Sequence, residues 1–82
     1  MEKEKIKMSQ LPEGKCGTVI EVESCGDVYG RLQDLGLVQG TSVCCLRKAP
    51  SGSPIIYNIR GAMVALRTSD AEKICVEVRP WD

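Results

Sequence analysis

Five cysteines, Cys16, Cys25, Cys44, Cys45 and Cys75, carry the most distinctive chemistry in this 82-residue chain. A thiolate can ligate a soft metal, attack an electrophile or close a disulfide. Their spacing lacks the signature of any of these. No C-x-x-C is present, so neither a zinc knuckle nor a thioredoxin-type redox site is indicated. Five is odd, so a disulfide framework would leave one thiol over. The segment 1–7 is charged and has no apolar stretch of the kind that directs export. Reduced thiols, most of them small apolar fillers, are therefore expected. Cys44 and Cys45 are adjacent, and strand neighbours point to opposite faces, so these two would not clasp one ion. No metal and no cofactor is expected; a soft-metal site would have to draw on Cys16, Cys25 or Cys75.

Catalytic chemistry is equally unsupported. The chain has no His, which removes the commonest general base and leaves serine and cysteine nucleophiles without an activator. Gly14-Lys15 is followed by Cys16 and lacks the upstream glycine of a phosphate loop. Charge balances at 11 basic and 11 acidic residues, and there are one Trp, two Tyr and no Phe. A nucleic-acid binder is expected to show a basic excess or stacking aromatics, so nucleic acid is a poor partner. The apolar runs fall well short of the roughly 20 residues that span a bilayer. These features describe a single non-enzymatic binding domain, cytoplasmic by expectation, with any membrane contact made through a partner.

The elements that would position such a surface are mostly strands. A lead-in over 1–10 precedes a domain over 11–78 and a tail over 79–82. The run 16–23 alternates, and places Thr18, Ile20 and Val22 on the inward face of a first strand. Val28, Leu32 and Leu35 recur at helical spacing over 27–35, with Asp27 favourable at the helix start and Gly36 suited to end it. Leu37 can then fold back onto Leu32, or lie partly exposed as part of a partner surface. Further strands are read at 41–48, with Val43 and Cys45 on one face, at 55–60, at 62–67 after Gly61, and at 74–78 with Ile74, Val76 and Val78 inward. Segment 68–73 reads as one helical turn capped by Ser69. Five strands with a helix inserted after the first fit a small, mainly β, closed or nearly closed barrel. Self-association is open to such a domain, with Trp81 on the tail able to pack on a neighbour.

Four stretches resemble one known family. Arg31-Leu32-Gln33-Asp34-Leu35-Gly36-Leu37-Val38-Gln39-Gly40 resembles the R-L-x-x-L-G-L-x-x-G signature of FeoA, the ferrous iron transport protein A family. Ala49-Pro50-Ser51-Gly52-Ser53-Pro54 resembles its A-P-x-G-D-P loop, with Ser53 in place of Asp. Gly61 through Ala65-Leu66-Arg67 resembles G-x-x-x-A-L-R, and 71–76 also fits. The resemblance implies an SH3-like β-barrel with a short helical insertion. It also implies a partner, the cytosolic G-protein domain of the FeoB membrane transporter. Arg31, Asp34, Leu35, Gly36, Leu37 and Gly40 are then the expected partner-binding residues. Two other readings stand beside this one: a thiol-based metal or redox sensor, and a barrel related to that of iron-dependent repressors.

Overall fold

The β-branched runs pair into one antiparallel sheet, and a computed structural model describes it over residues 4–23 and 27–78, with 27–29 described in backbone only. Cys25, Trp81, the tail 79–82 and the side chains of Asp27 and Val28 lie outside the described residues. In chain order the elements are β1 (Glu4–Lys7), a 3-10 turn (Met8–Gln10), β2 (Cys16–Val22), α1 (Asp27–Asp34), β3 (Ser42–Lys48), β4 (Ile55–Ile59), β5 (Ala62–Leu66), α2 (Thr68–Ala71) and β6 (Ile74–Val78). The sheet order is β1-β6-β2-β3-β4-β5.

Three features differ from the sequence reading. First, the lead-in is part of the sheet. Glu4–Lys7 pairs with β6, placing Glu4 opposite Val78 and Lys7 opposite Cys75. Met8 and Leu11 then enter the core with no exposure. The helix therefore follows the second strand, and the described residues form six strands rather than five. Second, the ladder is open. No pairing joins β5 to β1 among the described residues, so closure into a barrel is not observed. Third, the inward face of β2 is carried by Gly17 and Val19 and not by Thr18 and Ile20. The pairing with β6 steps from Val19 to Glu21 against a single step from Val76 to Cys75. Ile20 is thus the extra residue of a bulge, which reverses the parity and returns Val22 to the edge of the core.

A second irregularity falls at Leu46, where β3 steps from Cys45 to Arg47 against the single step from Tyr57 to Ile56 of β4; elsewhere the alternation holds. Val43 and Cys45 of β3, Ile55, Tyr57 and Ile59 of β4, and Ile74 and Val76 of β6 are buried in one cluster with Leu32, Leu37 and Leu66. The Tyr57 hydroxyl donates to the Met8 carbonyl at 2.9 Å, tying β4 to the 3-10 turn. Burial raises the Tyr57 phenol above its ordinary value, and burial likewise raises the thiol of its cross-strand neighbour Cys45. Both stay uncharged near neutral pH, so Cys45 is a filler and not a nucleophile.

The loop before β4 supplies something local sequence does not show. Ser69, expected as the cap of α2, lies inside that turn; Arg67 occupies the cap position and makes no side-chain cap bond. The first backbone N–H of the turn, Thr68 N–H, donates instead to Ser53 Oγ at 3.3 Å, and the Thr68 hydroxyl donates to the Gly52 carbonyl. Ser53 therefore caps α2 from 15 residues away. Ser53→Ala is expected to lower stability by about 1 kcal/mol, and Ser53→Asp to retain it, because Asp caps as well as Ser. Urea midpoints of the two variants check this; equal losses would exclude the capping role.

Candidate functional site

The sequence-predicted surface residues converge on the end of α1 and the loop to β3. The helix stops with a paired set of backbone bonds. Gly36 N–H donates to the Gln33 carbonyl at 2.9 Å, and Leu37 N–H donates to the Leu32 carbonyl at 3.0 Å. With Gly36 at φ +92°, this is the Schellman ending, which favours glycine because a side chain would clash in the left-handed conformation. A Cβ on Gly36 would also lie 2.8 Å from Cδ of Arg60, so the arginine side chain would have to shift. The next carbonyl, that of Gly36, accepts from the buried Thr41 hydroxyl at 2.8 Å.

The loop beyond is held as firmly. Gly40 N–H donates to the Val19 carbonyl at 2.7 Å, and Val19 N–H donates to the Thr41 carbonyl at 2.8 Å. Gly40 lies at φ +92°, so the turn that returns the chain to β2 also requires a left-handed residue. Segment 36–41 is thus a fixed shape seated on the sheet, and its exposed tip is Val38 and Gln39.

Each expected residue can now be placed. Arg31 reaches across to α2, where its guanidinium meets Asp70 Oδ2 at 3.1 Å. Asp70 is nearly buried and Arg31 largely exposed, so this pair docks α2 against α1 while leaving the cation accessible. Asp34 is exposed on the last turn, and Leu35 is half-buried against the core. Of the two expectations for Leu37, folding back is the one observed: the side chain is completely buried and the backbone N–H is bonded to the Leu32 carbonyl, so partial exposure is excluded. The exposed apolar residue of the loop is its neighbour Val38, at 38% exposure. Val38 and Gln39 line two hollows, one of about 260 Å³ shared with Ile20, Glu21, Val22 and Gln33, and one of about 400 Å³ shared with Gly40, Ser42 and Arg60. They form the ridge between them. Sequence reasoning missed Val38, although the two unspecified positions before Gly40 are where an outward pair has to fall once both flanking positions are fixed by packing and turn geometry.

The thiols are arranged otherwise than expected. Cys16 of β2 and Cys44 of β3 are directly opposed across the ladder and joined as a disulfide. The expectation of reduced thiols is corrected for this pair, and Cys16 is removed as a thiolate ligand. Residues 28 apart were brought together by strand register, which no local spacing motif encodes. Cys75 is half-buried on β6, and Cys25 lies outside the described residues. Among the described residues no three His, Cys, Asp or Glu side chains gather as a metal site. No described helix is long and apolar enough to cross a membrane.

Comparison with known proteins agrees with this geometry. A family model, the FeoA domain, matches residues 6–78. A curated relative from Porphyromonas gingivalis (strain ATCC BAA-308 / W83), an Fe(2+) transport protein A/Fe(2+) transporter FeoB fusion protein, is 33% identical over 73 residues. That match covers 89% of this chain and 9% of the relative, so the chain spans a small part of that protein's length. The solution structure of FeoA from Chlorobium tepidum superposes with a TM-score of 0.84 at 39% identity, covering 94% of this chain and 73% of that one. A zinc complex of FeoA from Stenotrophomonas maltophilia, described as a prokaryotic SH3 domain protein, superposes with a TM-score of 0.77 at 29% identity, covering 87% and 88%. The six-stranded sheet is SH3-like in the sense of that structure.

Proposed function

The chain belongs to the FeoA family, and on that premise we propose that it is an accessory of ferrous iron uptake that binds the cytosolic G-protein domain of a FeoB-type transporter. Proteins of this family are small accessory proteins, not enzymes. The observation that carries the reading is the relative in which protein A and FeoB are one polypeptide. Fusion holds the two at a high effective concentration, which suits domains that work in contact.

The docking surface in this reading is the end of α1 with the ridge beyond it. Val38 and Gln39 enter the partner, while Arg31 and Asp34 make contacts at the rim. Leu35, Gly36 and Gly40 set the shape, and Leu37 supports the ridge from beneath. Contact with the membrane is made through the partner alone. The accessory shifts the transporter between states by binding one conformation of the G-domain better than another. A tenfold difference in affinity corresponds to about 1.4 kcal/mol of bias.

Titration of the isolated G-domain, loaded with GDP or with a non-hydrolysable GTP analogue, tests this. Binding to at least one nucleotide state is expected, and Val38→Glu is expected to weaken it about tenfold or more by burying a charge at the centre of the contact. Val38 is partly exposed, so the variant should keep the parent's amide spectrum. Absence of binding in every nucleotide state, with the full transporter also failing to bind, overturns the proposal.

A further inference from the structure

The sheet has two edges of opposite character. β1 reads Glu4-Lys5-Ile6-Lys7, and charged side chains of this kind blunt an edge against further pairing. β5 reads Ala62-Met63-Val64-Ala65-Leu66, without a charge, a proline or a bulge. Nothing among the described residues pairs with its outer side. Met63 on this edge is 75% exposed, the largest exposure of any large apolar residue described.

The register shows which backbone groups are free. β4 and β5 are joined by the two-residue turn Arg60-Gly61, with φ +53° and +87° and Ile59 opposite Ala62. Positive φ at both positions is the I′ hairpin, whose flanking pair exchanges hydrogen bonds. Alternation then makes Tyr57–Val64 and Ile55–Leu66 the other bonded pairs. The N–H and C=O groups of Met63 and Ala65 therefore point away from β4, toward the open side.

Two arginines flank this apolar strand in the chain, and a third lies two strands away in the sheet. Arg60 and Arg67 bracket it in the chain, and the exposed Arg47 lies in the same cross-strand row as Ala65, through Ile56. We propose that β5 is a docking edge for an extended apolar segment of another protein, flanked by acidic residues, which adds as a seventh strand through the outward backbone groups of Met63 and Ala65. Charge decides against a second copy of this chain. Antiparallel self-pairing centred on Val64 would bury the whole strand but set Arg67 opposite Gly61 of the other copy, beside that copy's Arg60, and like charges so placed oppose pairing. An acidic-ended segment meets the same cations favourably. Arg60 also borders the hollow beside the Val38–Gln39 ridge, so the tests of the two surfaces read other residues.

The experiment uses two synthetic peptides, Glu-Thr-Val-Thr-Val-Thr-Glu and its counterpart with Lys at both ends. The acidic-ended peptide is expected to protect the Met63 and Ala65 amides from hydrogen exchange, and to bind at least about threefold more tightly than the Lys-ended one at low salt. Ala65→Pro removes one outward donor without touching the bonds to β4, and should abolish that protection while the remaining spectrum is kept. Should that variant not fold, Arg47→Glu/Arg67→Glu serves instead and should invert the preference between the peptides. Three results overturn the proposal: no protection at Met63 and Ala65, equal affinity for both peptides, or protection that rises with protein concentration alone, which would identify a second copy as the occupant.

Discussion

Leu37→Ala is expected to destabilise the domain by about 2–5 kcal/mol, the range for emptying a fully buried leucine site. Against the roughly 5–15 kcal/mol that holds a typical domain together, that is a large fraction of the whole. Leu37 has no exposed surface, and its backbone N–H closes the helix ending on the Leu32 carbonyl. The truncation leaves a cavity beneath the ridge and loosens the one turn that presents it. A domain of this size loses roughly 4–8 °C of melting temperature per kcal/mol, so a thermal scan reads the effect directly. Val38→Ala, one residue on, should move the melting temperature little, because Val38 already meets water. Equal shifts for the two would mean that Leu37 is not packed as described. The contrast bears on function. Leu37 belongs to the scaffold, so a binding defect in Leu37→Ala counts against docking only when measured where the variant is still folded.

Opening the Cys16–Cys44 disulfide is expected to cost about 3–4 kcal/mol. The bond closes a loop across a sequence separation of 28, and the loss follows from the chain entropy regained by the unfolded state on loop opening. Urea midpoints with and without reductant measure it. A Cys16→Ala/Cys44→Ala variant should unfold at the reduced midpoint and show no response to reductant. Identical midpoints for oxidised and reduced parent would show that the two sulfurs are not bonded. Val19 lies on β2 and Thr41 immediately precedes β3, so the linkage lies close to the backbone bonds that seat the 36–41 segment.

How much of this was legible in advance follows from the range of each interaction. The Gly36 stop, the Gly61 hairpin, the shared face of Val43 and Cys45 and the inward face of β6 were readable because glycine geometry and two-residue alternation are local. The parity of β2 was not, because the bulge at Ile20 exists only against β6. Strand β1 was missed for a related reason: Glu4-Lys5-Ile6-Lys7 has little apolar content and becomes a strand by pairing with β6. The disulfide and the Ser53 cap each join distant residues and depend on the same register. At the candidate site, the signature residues were located correctly on one element and its exit loop. For Leu37 the sequence allows both a folded-back and a partly exposed side chain, and the backbone bond to Leu32 is what decides between them.

The pairing of Glu4 with Val78 has a consequence for how such a domain is mounted. The two described limits of the fold leave from the same flank, the one bordered by β1, while β5 forms the opposite margin. A tether attached beyond either limit would hold the module by one corner, as a pendant, leaving the β5 margin unobstructed. The choice between a front and a rear junction in a longer polypeptide would then matter little for what the module can reach.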